Sequence, residues 1–297
     1  SHYGKTASAT NAQKTAAFLK KHLDRSIRTL PNTTAEIADA ATLGNKLGSS
    51  PNKIELLMVY IGHRLIIAEL VGVQDLNSYT LRDRGRPKRD ARVGMLPPKL
   101  AQTMINLAAK DKNDGVLLDP FCGTGVILQE AALMGFRVHG TDIEPRMVEY
   151  SKTNLSWLKK QSVAKHLDWQ TPVLDVGDAT NYVWPKPIEI VATETYLGQP
   201  YATQPPIEKL QENITTCNTI ISKFLINLAS QITPDTRLCV AVPCWFLDHR
   251  TYHLPLTHQL SAGSYEQIFY LDNRAPLIYR REDQIVAREL LVLRKKS

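Results

Sequence analysis

Cysteine is scarce in this chain of 297 residues, with four at Cys122, Cys217, Cys239 and Cys244 and no Cys-x-x-Cys pair. That argues against a zinc cage and against a disulfide scaffold at this length, and a reducing, cytoplasmic setting fits best. Long apolar runs are missing too. The longest, around residues 54–61, contains Glu55 and is too short to cross a bilayer. No charged-then-apolar leader opens the chain, so nothing marks secretion, and the Ser-His start leads us to expect a trimmed N-terminus. There is neither a Walker loop nor a Gly-x-Gly-x-x-Gly fingerprint. Disorder as the main theme is excluded as well, since 43% of residues are hydrophobic and 22% charged.

What is present suggests about two domains by length alone. The net charge of +7 makes an acidic partner plausible, nucleic acid first. Residues 1–78 read as a small α+β module. A short amphipathic helix is expected over 14–23 and a short strand over 27–30. A helix over 35–47 is capped by Thr33 or Thr34. Residues 54–61 and 65–71 are β-rich runs joined at Gly62-His63-Arg64, a hairpin signal. Residues 79–94 read as a basic linker, in which Arg82, Arg84, Arg86, Lys88, Arg89 and Arg92 face only Asp83 and Asp90. Its arginine richness suits phosphate contact; the alternative is a plain solvated surface.

From residue 95 to 297 the pattern alternates. Helices are expected over 98–109, 126–134, 146–159 and 208–228, and strands over 116–118, 137–140, 188–192 and 238–242. Alternation of this kind predicts a doubly wound α/β sheet. Residues 267–271, 276–279 and 285–293 read as strands without intervening helices, so an antiparallel end is expected.

The central signal is Asp119-Pro120-Phe121-Cys122-Gly123-Thr124-Gly125, at a strand-to-helix junction. Open α/β sheets bind ligands at the carboxyl ends of their strands. Gly123 and Gly125 allow a tight turn and close approach of backbone to ligand. Asp119 suits an ammonium or hydroxyl. No lysine is placed to hold phosphates, so the turn suits a cofactor without a pyrophosphate. Asp142, seventeen residues beyond Gly125, sits near the spacing of ribose-binding acids and also suits a helix cap. Gly177-Asp178-Ala179 marks a third turn, where Asp178 suits an adenine amino group or a plain surface turn. Cys122 reads as packing. His249, His253 and His258 cluster around Pro255 without helical ligand spacing and read as loop residues rather than a metal site.

The Asp-Pro-Phe-Cys-Gly-Thr-Gly segment resembles motif I of class I S-adenosylmethionine-dependent methyltransferases, and more narrowly of those that methylate exocyclic amines of nucleic-acid bases. Residues 94–108 resemble the lead-in helix of THUMP-containing tRNA guanosine-N2 methyltransferases. Arg82-Asp83…Arg86-Pro87 resembles that family's linker, Tyr279-Arg280-Arg281…Glu289 its final hairpin, and residues 1–80 the second part of a THUMP domain. The likeness covers most of the chain and is strongest over 82–143. It implies a class I Rossmann-like sheet, S-adenosylmethionine as cofactor and tRNA or another structured RNA as partner. It also implies cofactor contacts from Leu96, Asp119, Phe121, Cys122, Gly123, Thr124, Gly125, Asp142, Ile143, Asp178 and Ala179.

At the catalytic step the sequence departs from the family, which carries Asp/Asn-Pro-Pro-Tyr. Here Thr193-Glu194-Thr195-Tyr196-Leu197-Gly198 stands directly after the strand expected over 188–192. In register, Glu194 replaces the acid, Thr195 and Tyr196 the prolines, and Leu197 the aromatic residue. The family's logic needs an acid and a backbone carbonyl to accept from the target amine and an aromatic face to stack the base. Glu194, the Thr195 carbonyl and Tyr196 (or Tyr201) are the candidates. The expectation is methyl transfer to guanine N2 in tRNA. Two other readings stay open, a DNA amine methyltransferase and a non-catalytic cofactor- and RNA-binding protein.

Overall fold

A computed structural model describes residues 1–3, 8–23, 30, 36–37, 39–48, 50–90, 95–165, 167–201, 203–256, 263–282 and 284–297. The chain divides into two compact units, Ser1–Leu76 and Asn77–Ser297.

The first unit holds strand β1 (His2–Tyr3), helices α1 (Ala9–His22) and α2 (Asp39–Gly44), and strands β2 (Leu56–Ile61) and β3 (Arg64–Glu69). Ser8 starts α1 by accepting at Oγ from the Asn11 amide, 3.1 Å away. The hairpin turns at Gly62, whose φ of +59° needs the left-handed region. It pairs β2 and β3 antiparallel, with β1 added parallel on the other side of β2. Helix α2 is shorter than expected, because Lys46 and Gly48 adopt positive φ and turn the chain out of it. The expected strand over 27–30 lies, but for Leu30, outside the described residues.

Helix α3 (Leu76–Arg84) starts at the boundary between the units, and α4 (Pro98–Ala109) follows in the second. Strand β4 (Val116–Asp119), helix α5 (Val126–Leu133), strand β5 (Arg137–Asp142), helix α6 (Pro145–Lys159) and strand β6 (Val173–Val176) follow. Then come strand β7 (Ile190–Glu194), helix α7 (Ile207–Ala229) and strands β8 (Arg237–Leu247), β9 (Arg250–Tyr252), β10 (Tyr265–Gln267), β11 (Leu277–Tyr279) and β12 (Val286–Lys295). The main path of the sheet is β10-β12-β8-β7-β4-β5-β6. Strands β4 to β8 run parallel along it, and β12 returns antiparallel to β8 from Val286 opposite Trp245 to Arg294 opposite Arg237. The expected doubly wound sheet with an antiparallel end is therefore present.

Alternate strand residues feed two cores, as the pleat requires. Leu117, Ile190, Ala192 and Cys239 join α4 and α5 through Met104, Ile105 and Leu128. Leu118, Val191, Leu238 and Val240 join α7 through Ile221, Phe224 and Leu228. All four residues of β4 are buried, which is why its sequence is a plain apolar run ending in an acid.

Three local expectations change. Strand β6 was not anticipated, since Val-Leu-Asp-Val at an edge of the sheet is mostly exposed and lacks an apolar run. The strand expected over 267–271 is instead Tyr265–Gln267, and Phe269, Tyr270 and Leu271 stand exposed beyond it. The stretch 79–94 is not a plain linker, because α3 runs through Arg84. Arg82 on that helix is ion-paired to Glu130 on α5 at 2.7 Å, with both side chains buried.

Candidate functional site

The order of strands reverses at β4, which has β5 on one side and β7 on the other. A crevice opens at such a switch point, at the carboxyl ends of the strands. Asp119, Asp142 and Glu194 end the strands there.

Asp119 is buried. Its Oδ1 accepts from Thr193 Oγ1 at 2.6 Å and from the Phe121 amide at 3.3 Å. Burial pushes its pKa up to about 8. The two hydrogen bonds work against that rise, and the negative charges of Asp142 and Glu194 add to it. No salt bridge to Asp119 is found among the described residues. Asp142 accepts at Oδ2 from the Gly123 amide (2.8 Å) and at Oδ1 from the Glu144 amide (3.0 Å). Burial raises its pKa, against those two amides. The carboxylate thus ties the glycine turn to Glu144, the residue that caps α6, and is not itself the cap.

The turn itself is held from below by α6. Ser151 Oγ donates to the Gly123 carbonyl at 2.8 Å, and Asn154 Nδ2 donates to the carbonyls of Thr124 and Lys88, each at 2.9 Å. Gly123 and Gly125 have φ of +50° and +80°. A Cβ on Gly125 would lie 2.8 Å from Ser151 Oγ, whereas one on Gly123 would meet nothing within 4 Å. The backbone at Gly123 therefore borders open space on that side. Cys122 is buried against Ser151, and burial holds its thiol well above the usual range, which favours packing over attack as a thiolate. Leu96 is buried in the same core cluster as Cys122 and Val126. Phe121 meets Phe224 edge-on at 5.2 Å.

The Gly177 amide donates to the Asp142 carbonyl at 2.9 Å, which brings the third turn beside the second. There Asp178 Oδ1 accepts from the Thr180 amide at 2.9 Å, and Ala179 is buried. Ile143, by contrast, is 63% exposed, an apolar side chain standing next to the Asp142 carboxylate.

The β7 end is built differently. Glu194 Oε1 accepts from Arg288 Nε of β12, across the intervening β8. The two side chains are 17% and 5% exposed. Burial raises the Glu194 pKa and the Arg288 charge opposes the rise. Thr195 is buried, its amide and its hydroxyl both donating to the Ala241 carbonyl at 3.0 Å. Tyr196 is 40% exposed and lines a cavity of about 500 Å³ that the following loop shares with α7. Sequence reasoning missed Thr193 and Arg288. The signal for the second was available: an arginine inside the run Val286-Ala287-Arg288-Glu289-Leu290-Leu291-Val292 asks for a buried partner.

The basic stretch separates into two sets. Arg84, Lys88 and Arg89 are exposed. Arg82 and Arg86 are buried, being 5% and 2% exposed. Arg82 is held by Glu130, whereas Arg86 Nη2 meets Met95 Sδ at 3.1 Å and burial lowers its pKa. Arg92 lies outside the described residues. His253 pairs with Glu289 at 2.6 Å and His258 is outside the described residues; among those described, no His/Cys/Asp/Glu cluster suits a metal. No described helix is long and apolar enough to cross a membrane.

Residues 86–183 match the family model described as "RMKL-like, methyltransferase domain". The chain is 35% identical over 154 residues to the tRNA (guanine(10)-N2)-dimethyltransferase of Pyrococcus abyssi, covering 50% of this chain and 42% of that protein. It is 29% identical over 203 residues to the protein of the same name from Methanocaldococcus jannaschii, covering 66% of this chain and 56% of the other. The chain thus spans about half the length of the curated relatives it matches. Among solved structures it is similar to the crystal structure of TrmN from Thermus thermophilus, with a TM-score of 0.50 and 15% identity over 99% of this chain and 70% of that one. That likeness concerns the fold, which is the class I methyltransferase α/β sheet.

Proposed function

We propose that this chain, with its match to an RMKL-like methyltransferase domain over residues 86–183, transfers a methyl group from S-adenosylmethionine to guanine N2 of a tRNA. The observation that carries the reading is the convergence of Asp119, Asp142 and Glu194 at the switch point of the sheet. The curated relatives, by their names, support the choice of guanine N2.

The residues fit such a cofactor. Asp119 is a buried carboxylate that desolvation pushes toward its neutral form, so an ammonium group is the partner that would restore its charge. Asp142 keeps lone pairs beyond the two amides it accepts from, which suits ribose hydroxyls. Ile143 and Ala179 offer apolar flanks to an adenine, and Asp178 an acceptor for its amino group. Gly123 and Gly125 let the turn pass close beneath, with Thr124 between them. When bound, S-adenosylmethionine supplies an electrophilic methyl group on a sulfonium.

The chain's own contribution is chiefly positioning. Glu194 accepts from the target amine, held as a carboxylate by Arg288, and the Thr195 carbonyl accepts from the second N–H. Tyr196 stacks a base. The exposed Arg84, Lys88 and Arg89 contact RNA phosphates, and residues 1–78 serve as a partial THUMP-like RNA-binding module in a cytoplasmic enzyme.

The test is a mass-spectrometric nucleoside profile of unmodified tRNA transcripts incubated with the protein and S-adenosylmethionine. N2-methylated guanosine is the expected product. Binding of cofactor and tRNA with no methylated nucleoside would favour a second reading, a binding protein without turnover. The engagement of Glu194 by Arg288 in place of the family's Asp/Asn-Pro-Pro-Tyr is what motivates that alternative.

A further inference from the structure

The cavity that Tyr196 lines reaches beyond the one contact assigned above, that ring's stacking on the target base. Its volume, about 500 Å³, lies within the range of small-molecule sites. None of the three acids lines it.

Its walls are preformed. Asn213 on α7 clamps the loop, with Oδ1 accepting from the Gln199 amide at 3.2 Å and Nδ2 donating to Tyr201 Oη at 3.1 Å. Tyr201 Oη in turn donates to the Lys209 carbonyl at 3.2 Å. Gly198, at φ +81°, lies so close to the Asn213 carboxamide that a side chain there would collide with it. Pro200, Pro205 and Pro206 stiffen the remaining wall.

The chemistry of the lining selects the ligand. Lys209, the cation on the wall, is paired with Glu212 at 2.8 Å, so the lining has no net charge to hold a phosphate or carboxylate. The other polar groups are neutral and include the amides of Gln199 and Gln204, each of which can both donate and accept. Beside them are two phenol rings, Tyr196 and Tyr201. A flat, neutral ligand with a hydrogen-bonding edge satisfies this combination, and in RNA that is an unstacked base.

We propose that this cavity binds a second nucleobase of the RNA, one flanking the base to be methylated, stacked on the face of Tyr196 away from the target base and read at its edge by Gln199 and Gln204. The proposal rests on the methyltransferase reading, since it assumes that RNA approaches Glu194.

The test titrates the full chain into single-stranded RNA hexamers, each carrying one 2-aminopurine whose fluorescence falls on stacking. Methyl transfer to tRNA transcripts is measured on the same preparation. The expected result is quenching with wild type that is lost in Tyr196→Leu, with about 5- to 100-fold weaker binding. Gln204→Ala should retain quenching but discriminate several-fold less between 2-aminopurine and uracil at that position. Saturable binding without quenching, quenching unchanged by Tyr196→Leu, or no binding of any hexamer would each overturn the cavity assignment. Methylation without quenching removes the cavity site and leaves the enzyme reading. Quenching without methylation does the reverse.

Discussion

The two sides of the crevice are built on opposite plans. Around β4 and β5 the side chains mostly bond to backbone: Asp142 to the amides of Gly123 and Glu144, Ser151 and Asn154 to carbonyls of the glycine turn. At β7 the principal contact is between side chains far apart in sequence, Glu194 on β7 and Arg288 on β12. A turn fixed by side chains of the next strand and helix depends little on the far edge of the sheet. An acid held by a remote arginine depends on β12 taking its register along β8.

The largest expected effect separates the two sides. Arg288→Met leaves Glu194 buried without its cation and should lower stability by about 3–5 kcal/mol, measured by denaturant unfolding. Because burial already raises the Glu194 pKa and Arg288 opposes it, the loss should raise that pKa further. The acid limb of the pH–rate profile should then move to higher pH. A profile that stays in place would mean that Arg288 has no hold on the acid.

Glu194→Gln keeps shape and one acceptor oxygen but removes the charge that compensates the amine as it becomes cationic. Turnover should fall by about 10²–10³, on kcat more than on KM. Turnover within a few-fold of wild type would reduce Glu194 to the end of a strand.

On the other side, Asp142→Ala should weaken S-adenosylmethionine binding by about 1–3 kcal/mol by calorimetry. Unchanged affinity in a folded variant would remove Asp142 from the site.

A further effect is a matter of pH. Asp119 has its folded pKa raised from 3.8 to about 8, so between those values the folded state holds a proton that the unfolded state has released. Stability of the free protein should therefore fall as pH rises through that window, and Asp119→Asn should flatten the fall in thermal melts. An ammonium-bearing ligand favours the ionised form, so the fall should also shrink when cofactor is present. A slope unchanged by either would show that Asp119 does not titrate there.

The backbone-built side was the readable one. Asp119, Gly123, Gly125 and Asp142 stand close together in sequence, and the steric need for glycine in a tight turn is a local rule. Strands β4 and β7 were legible because burial on both faces leaves apolar runs. The β7 contact was not, since Arg288 is far from Glu194 in sequence and a spacing rule cannot reach it. The burial of Arg82 and Arg86 was not legible for a related reason. In a run of basic residues, the arginines that face inward are chosen by Glu130 and the helices around it, and composition is blind to that choice. Strand β6 escaped because its edge position removes the apolar pattern that would announce it.

The two glycines of the turn look interchangeable as letters, yet they differ in how many substitutions the fold would forgive. At Gly123 only the torsion angle resists a side chain, since the space beyond is clear. At Gly125 the torsion resists and Ser151 resists as well. Gly125 is therefore the position with an alphabet of one, and a neighbouring helix, by standing so close, writes that restriction into the loop.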